Sequence, residues 1–185
     1  MAKIVFIRHG EPTYDDVNNK NYIGHGKDLA QLTEQGIQQA EEVSNDKRLD
    51  NAEIIVSSPY TRALQTAAII SKNHNLNIKV ELDLHEWAPD LTFQYTTYED
   101  MKKAAKLCTE NKGICPAGSK VQFENLEDVF TRVKNCLLKY KDYNKIIVVA
   151  HGVVMRQFGY EPEIPFCGIK EIDFDESFVW NGFIE

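Results

Sequence analysis

Side chains suited to binding and attacking an anion stand at four separate places in the sequence. They are two arginines, two histidines and one glutamate: Arg8, His9, Arg62, Glu86 and His151. The planar guanidinium group of arginine donates paired hydrogen bonds to the oxygens of a phosphate group. Neutral imidazole is a nucleophile that needs no separate base, and neighbouring arginines help keep it neutral by lowering its pKa. The residue types therefore favour a phosphate site with a histidine nucleophile.

Most of these side chains follow closely on a run of residues that predicts a buried β-strand. Apolar runs bounded by polar residues predict four such strands, at residues 3–7, 53–57, 78–82 and 145–150. Residues 171–174 form a candidate edge strand. Arg8 and His9 come directly after the first strand, Glu86 lies just beyond the third, and His151 directly follows the fourth. The strands therefore carry the candidate residues at their carboxyl ends.

Helical signals fill the segments between the predicted strands. Thr33 is expected to begin one helix. Ser58 and Pro59 are expected to be the N-cap and first position of a second, which carries Arg62 in its first turn. The segment from residue 17 to 29 shows no periodicity and is predicted to be a loop. Further helices are predicted at residues 99–107, at 126–138 and, as a short one, after residue 151.

Strands that alternate with helices predict an α/β fold, a three-layer sandwich with a mainly parallel central sheet. The carboxyl ends of parallel strands lie on one side of a sheet, where ligand crevices form. Four distant stretches of chain therefore bring two arginines, two histidines and a glutamate to one rim. Each motif alone also has a structural explanation, as a Ser-Pro helix cap, a His-Gly turn or a solvated loop carboxylate. Their shared position favours a functional site.

The length of 185 residues suits a single domain, which we predict to span residues 1–185. Residues 87–125 are harder to interpret, because they combine aromatic side chains, a possible helix and a glycine-containing loop. We expect this segment to be an insertion over the active-site end of the sheet. Its aromatic residues would either wall the site and favour a substrate with an apolar or ring-bearing body, or cap the sheet as part of the core.

Composition and charge exclude several classes of protein. Hydrophobic residues make up 43% and charged residues 26% of the chain, values that are ordinary for a folded soluble protein. The net charge of −7 argues against nucleic acid and against an anionic membrane surface as partners.

No apolar run approaches the ~18 residues of a membrane span, and the N-terminal residues do not resemble a signal peptide. The cysteines form no CxxC pair and are expected to be free thiols, which favours a cytoplasmic location. The oligomeric state is not indicated.

Three motifs make the chain similar to the histidine phosphatase superfamily, also called the phosphoglycerate-mutase-like family. They are FIRHGEPTY at residues 6–14, SSPYTRALQTA at 57–67 and VVAHGVVMR at 148–156. A fourth segment, DLAQLTEQGIQQA at residues 28–40, resembles the stretch that follows the family's first active-site loop. The resemblance implies a phosphoglycerate-mutase-like fold and phosphoryl transfer through a phosphohistidine.

The resemblance also implies a role for each matching residue. His9 is expected to accept the phosphoryl group, while Arg8, Arg62 and His151 hold the phosphoryl oxygens. Gly10 is expected to let the backbone come close and to orient the imidazole. No metal or other cofactor is implied, because guanidinium groups can supply the positive charge that Mg²⁺ supplies elsewhere.

Glu86, in the stretch LHEWAPD, matches the place of the acid that protonates the leaving oxygen and later activates water. Nearby arginines would lower the pKa of this carboxyl, although an acid must hold its proton at neutral pH. We therefore expect a bound phosphate dianion to neutralise the arginines and so to raise the pKa of Glu86.

Four further positions are candidates for substrate binding: Gly10, Tyr14, His25 and Gly152. After the Arg-His-Gly motif the family often has Glu-Thr followed by Trp-Asn, where this chain has Glu-Pro-Thr-Tyr. An arginine is common before the next matching segment, where this chain has GHGKD at residues 24–28. Tyr14, His25 and Lys27 therefore either contribute to substrate choice or are loop residues in solvent.

The resemblance leaves three activities open. A phosphatase is favoured, because the ERxYG-like segment of the family's phosphoglycerate mutases is replaced here by HEWAPDLTFQY. The prediction is therefore metal-independent hydrolysis of phosphomonoesters through a phosphohistidine at His9. The alternatives are mutase-type phosphoryl transfer and a non-catalytic module that binds a phosphorylated ligand. The substrate is expected to be a phosphorylated small molecule whose identity the sequence does not indicate.

Overall fold

A five-stranded sheet lies at the centre of the computed structural model, which describes residues 1–183. The strands are β1 (Ala2–Arg8), β2 (Pro12–Thr13), β3 (Gln31–Leu32), β4 (Ile54–Ser57), β5 (Ile78–Val80), β6 (Lys145–Ala150) and β7 (Ile169–Phe174). In the central sheet their order is β5-β4-β6-β1-β7, and β2 with β3 forms a separate ribbon. All neighbours in the central sheet are parallel except the edge strand β7, which runs antiparallel to β1. The predicted mainly parallel sheet is confirmed.

Helices cover both faces of this sheet. They are α1 (Asp15–Asn19), α2 (Glu34–Val43), α3 (Thr61–His74), α4 (Tyr98–Glu110), α5 (Leu126–Leu138) and α6 (Gly152–Arg156). Three short 3-10 helices lie at Gly24–Leu29, Lys47–Leu49 and Leu82–Leu84. The predicted loop at residues 17–29 is thus wrong in part, because it contains the end of α1 and a 3-10 helix. Such turns are too short for hydrophobic periodicity to reveal.

The side chains of successive strand residues alternate between two buried layers. On one face, apolar residues of β1, β4 and β6 pack against α3, including Val5, Ile55, Ile147, Ala63 and Ile70. On the other face, the intervening residues pack against α5 and α6, including Phe6, Val56, Val148, Val133 and Met155. Because both faces are covered, the central strands are continuous apolar runs. This is the reason that their sequence predicts them well.

The predicted helix cap at Ser58 and Pro59 is wrong. Helix α3 begins at Thr61, with Tyr60 as its N-cap residue. Ser58 is fully buried, and its backbone N–H donates to the carbonyl oxygen of Val149 at 3.0 Å. The chain therefore continues the ladder past the end of β4 before it turns into the helix.

The segment 87–125 begins with loop structure and continues through α4. A capping box starts this helix, because Thr97 and Asp100 each accept a hydrogen bond from the other's backbone N–H. The single domain with this segment as an insertion stays a prediction. Among the residues the structure describes, no helix combines the length and apolar character that crossing a membrane requires.

Candidate active site

The strand register brings three motifs to the same level of the sheet. Arg8 pairs with Ala150 at the ends of β1 and β6. The N–H of His9 then donates to the carbonyl oxygen of Ala150 at 3.1 Å. Ser58 is held in the same way beyond β4. His9, Ser58 and His151 therefore meet at one edge, as the strand ends predict.

The protons of His9 are fixed by its hydrogen bonds. Its ring is only 5% exposed, and Nδ1 lies 2.7 Å from the carbonyl oxygen of Gly10. A carbonyl oxygen only accepts, so Nδ1 carries the proton and Nε2 keeps its lone pair. The Nε atom of Arg62 donates to that Nε2 at 3.2 Å. Burial, and then the charge of Arg62, lower the pKa of His9 to about 3, so the imidazole is neutral at physiological pH.

Gly10 is packed too tightly for a side chain. A Cβ atom there would lie 2.5 Å from the carbonyl oxygen of Gly36 in α2. The N–H of Gly10 donates to Oγ1 of Thr66 in α3 at 3.1 Å. The carbonyl group that orients His9 is therefore itself held by two helices.

Each arginine lies over an aromatic ring. The guanidinium carbon of Arg8 is 4.2 Å from the ring centre of Phe166, and that of Arg62 is 4.9 Å from the ring centre of Tyr60. Arg62 is almost fully buried, and its Nη1 lies 3.5 Å from a carboxylate oxygen of Asp28. These contacts restrict both guanidinium groups to the floor of the site.

His151 is the second buried imidazole of the site. Its ring centre is 5.1 Å from that of His9, and its Nε2 lies 2.8 Å from Oγ of Ser58. Burial, followed by the charge of Arg62, holds the pKa of His151 well below its usual range. Gly152 begins α6 next to it, and a Cβ atom there would lie 3.7 Å from Nε of Arg8.

Three buried side-chain nitrogens at this floor have no hydrogen-bond partner among the described residues. They are Nε of Arg8, Nη1 of Arg62 and Nδ1 of His151. A buried polar group without a partner typically costs ~1–3 kcal/mol, so native structures rarely tolerate one, and three close together indicate a ligand. Nη1 of Arg62 faces Asp28 at 3.5 Å, whereas Nε of Arg8 belongs to a cation with no carboxylate partner among the described residues, so an anion fits this floor.

Glu86 lies beside the amino terminus of α6. Its carboxylate accepts hydrogen bonds from the backbone N–H groups of Trp87 at 2.8 Å, Val153 at 3.3 Å and Val154 at 3.4 Å. Burial nevertheless raises the pKa of Glu86, outweighing these hydrogen bonds and the charge of Arg62. The expectation that the arginines dominate the pKa of the free carboxyl is therefore wrong, because desolvation is the larger effect.

The walls of the cleft come from the loops around the sheet. Tyr14 lines it, and burial raises the pKa of its phenol. His25 lies further out, with Nδ1 3.0 Å from Asp28 and its ring centre 4.2 Å from that of Phe93. Several residues of the 87–125 segment also line the cleft, among them Trp87, Pro89, Phe93 and Tyr95. Part of the segment therefore lies beside Arg62 and Glu86 in this cleft.

Sequence reasoning missed four residues that shape the site: Asp28, Ser58, Tyr60 and Phe166. Asp28 lies in one of the matching segments, yet nothing in that segment indicates an ion pair with Arg62. Ser58 was expected to cap a helix, although its place at a strand end could have indicated a contact with His151. Phe166 carries no motif, and it reaches the site because the N–H of Cys167 donates to the carbonyl oxygen of Arg8 at 3.0 Å.

Within residues 1–183, no group of three or more histidine, cysteine, aspartate or glutamate side chains is arranged to hold a metal ion. The positive charge at the floor of the site comes from Arg8 and Arg62.

Known proteins resemble the chain over most of its length. It is 26% identical over 189 residues to phosphoserine phosphatase 1 of Hydrogenobacter thermophilus, an alignment covering 95% of this chain and 80% of that protein. It is 28% identical over 172 residues to the uncharacterized phosphatase PhoE of Bacillus subtilis, covering 89% and 81%. The structure of phosphoserine phosphatase from Entamoeba histolytica in complex with 3-phosphoglyceric acid superposes with a TM-score of 0.67 at 25% identity, covering 100% and 98%.

The model of the histidine phosphatase superfamily (branch 1) matches residues 4–161, a range that includes all five candidate catalytic residues. Together with the relatives, this match confirms the predicted fold and a phosphatase that hydrolyses phosphomonoesters. The chain belongs to the histidine phosphatase superfamily, branch 1.

Proposed function

We propose that the protein hydrolyses phosphomonoesters in two steps, through a phosphohistidine at His9. One observation carries this proposal: a neutral imidazole, whose unprotonated Nε2 accepts a hydrogen bond from Nε of Arg62, lies among buried nitrogens of Arg8, Arg62 and His151 that lack a hydrogen-bond partner in the described chain. The substrate we propose is a phosphorylated small molecule, which the named phosphoserine phosphatase relatives support.

In the first step, the Nε2 lone pair of His9 forms a bond to phosphorus and the ester P–O bond breaks. Arg8, Arg62 and His151 hold the three non-bridging oxygens, whose charge is spread in the transition state. Ser58 prepares His151 for this role. Its Oγ lies 2.8 Å from Nε2 and accepts a hydrogen bond from the N–H of Tyr60 at 3.3 Å. When this hydroxyl donates its own proton to Nε2, Nδ1 of His151 carries the proton that the phosphoryl oxygen requires.

Glu86 supplies the proton of the first step and recovers it in the second. Burial raises the pKa of this carboxyl and so favours the protonated form that the step requires, and the proton goes to the leaving ester oxygen as the alcohol departs. The resulting carboxylate then accepts a proton from water, the water oxygen bonds to phosphorus, and the N–P bond of His9 breaks. Inorganic phosphate leaves, and His9 and Glu86 return to their starting states.

We assign the substrate side of the cleft to the remaining candidates. Gly10 lets the backbone pack against α2 so that its carbonyl oxygen orients His9, and Gly152 leaves room beside Arg8. Tyr14 and His25 contact the alcohol half of the ester. A cytoplasmic location is part of the proposal, and the free thiols of all four cysteines are consistent with it. The absence of nucleic-acid and membrane partners stays a prediction.

Release of inorganic phosphate from ethyl phosphate in buffer containing a chelator tests this function. We expect turnover by the parent protein and a loss of at least ~10³-fold in the His9→Ala variant, because the nucleophile is removed. Ile114→Ala, at an exposed position in the loop after α4, is the matched control. Equal turnover by His9→Ala, or turnover that the chelator abolishes, would contradict the proposal. A shift of the phosphoryl group on 3-phosphoglycerate without phosphate release would indicate a mutase instead.

A further inference from the structure

A groove continues the catalytic cleft outward to the surface. It has a volume of about 470 Å³ and is bordered by His25 and Tyr60. The cleft and the groove share five lining residues: His25, Asp28, Tyr60, Ala88 and Phe93. A group attached to a phosphate in the cleft therefore passes these residues on its way into the groove.

The groove is lined by large apolar side chains that are exposed to solvent. Leu29, Leu82, Leu91 and Phe93 are 55%, 72%, 48% and 41% exposed, respectively. They come from two of the short 3-10 helices and from the loop before α4, so three separate segments contribute to one apolar surface. Contiguous exposed apolar surface of this kind marks a binding site more often than a scattered exposed residue does.

The ring of Phe93 is held in the groove at a cost in backbone strain. Its φ angle is +56°, a left-handed conformation that a bulky residue seldom adopts. The backbone N–H of Phe93 donates to the carbonyl oxygen of Asp90 at 3.1 Å, and the Asp90 carboxylate accepts the N–H of Gln94 at 2.9 Å. Gly24 fits under this loop only because it lacks a Cβ, which would collide with the carbonyl oxygen of Phe93. The loop is therefore built to hold the ring against His25.

The charged side chains lie on the cleft side of this surface. Asp28 lies at the junction of cleft and groove, where its carboxylate contacts His25 and Arg62. Lys27 lines the cleft but not the groove, and its Nζ donates to the neutral amide oxygen of Asn18 at 2.6 Å. The described residues that line the groove include no arginine or lysine, so the groove offers an alcohol mainly apolar contacts.

From these contacts we infer that the site selects phosphomonoesters of alcohols with an uncharged, apolar, ring-bearing body, which lies against Phe93 in the groove. Esters whose alcohol lacks such a body, such as ethyl phosphate and phosphoserine, are poorer substrates. This inference rests on the proposed hydrolysis at His9 and specifies the substrate class of that site.

Three esters test the inference: 4-phenylbutyl phosphate, ethyl phosphate and phosphoserine. All three are esters of primary alcohols, so differences in binding contribute more to the comparison than differences in leaving-group chemistry. We expect kcat/KM for 4-phenylbutyl phosphate to exceed that for each of the others by at least ~10-fold, in line with the selectivity that apolar pockets provide. A similar kcat/KM for all three esters, or a preference for phosphoserine, would overturn the inference.

Variants of the groove show whether the preference arises there. In Phe93→Ala and in Leu91→Ala, the ratio of kcat/KM for 4-phenylbutyl phosphate to that for ethyl phosphate is expected to fall ~10-fold. The ratio is expected to stay at the parent value in Ile114→Ala, whose side chain is also exposed but lies outside the groove. A ratio that is unchanged in both groove variants would contradict the inference. If His9→Ala is inactive in the same experiment, the proposed hydrolysis at His9 still stands. If no ester is hydrolysed by the parent protein, the proposed function itself fails.

Discussion

Two protons determine what the individual residues of this site can do. The carbonyl oxygen of Gly10 holds one on Nδ1 of His9, which leaves Nε2 unprotonated, where it accepts a hydrogen bond from Arg62. The other belongs to Glu86, whose pKa burial raises against the charge of Arg62. Burial therefore favours the neutral form of both groups, which is the form that the proposed nucleophile and the proposed acid each require. Metal-free phosphoryl transfer at neutral pH needs this combination.

The role of Glu86 predicts a dependence on the leaving group. In Glu86→Gln, kcat/KM for ethyl phosphate should fall by ~10²–10⁴-fold, whereas kcat/KM for 4-nitrophenyl phosphate should fall much less, because its leaving group needs no proton. For the parent protein and ethyl phosphate, kcat/KM should decrease as the pH rises through the raised pKa of Glu86. This decrease should be absent in the variant.

Profiles of kcat/KM against pH for the two esters provide the measurement. Glu127→Gln, an exposed position in the first turn of α5, serves as the matched control and should behave as the parent does. A Glu86→Gln profile that coincides with the parent profile would exclude Glu86 as the acid.

At the scale of the elements, continuous apolar runs made the central strands predictable, and the strand ends made the site predictable. The runs at β1 and β6 are long because both faces of those strands are buried. Ser58 and Phe166 show the limit of this reasoning, because their roles depend on tertiary contacts with His151 and Arg8. The pKa of Glu86 is a second example. Motifs indicate the neighbouring arginines, which lower this pKa, but they do not indicate the depth of burial, which raises it.

The two glycines beside the catalytic histidines predict opposite effects on stability. Gly10→Ala should lower the free energy of unfolding by ~1–3 kcal/mol, because the new methyl group would overlap the backbone of Gly36 and force it to move. Gly152→Ala should leave that free energy unchanged or raise it by up to ~1 kcal/mol, since alanine favours the helix and meets Arg8 at an ordinary contact distance.

Urea unfolding curves measure the stability of the Gly10→Ala and Gly152→Ala variants, and kcat/KM for ethyl phosphate measures their activity. Gly10→Ala should lose both stability and activity, because the oxygen that orients His9 moves with the backbone. Gly152→Ala should lose activity alone, since its methyl group would lie beside Nε of Arg8, the nitrogen that we propose to bind phosphate. A Gly10→Ala variant as stable as the parent would show that the contact with α2 is looser than the structure indicates.

At the scale of the whole molecule, the site couples folding to pH. His9 and His151 are both buried, and burial lowers the pKa of each in the native state. The unfolded chain takes up protons at these positions near pH ~6.5, whereas native His9 does so only near its pKa of about 3. The unfolded state therefore binds more protons between these values, and stability falls as the pH is lowered through that range.

The His9→Gln variant removes the proton uptake of His9 and keeps that of His151. Between pH 6 and 4.5, the free energy of unfolding of the parent should fall more steeply than that of the variant, by ~1.4 kcal/mol per pH unit. Chemical unfolding at a series of pH values measures both slopes. Equal slopes would show that the native state does not lower the pKa of His9. That result would contradict the claim that burial keeps this imidazole neutral.

Chemical identification of the intermediate tests the central claim most directly. Glu86→Gln should accumulate it from 4-nitrophenyl phosphate, because the first step needs little acid assistance while the second lacks its base. Rapid alkaline quenching followed by peptide mass spectrometry should find one acid-labile phosphoryl group on His9, and none when His9→Ala is combined with the Glu86 change. Release of 4-nitrophenol without any such adduct, or an adduct on His151 instead, would contradict the account.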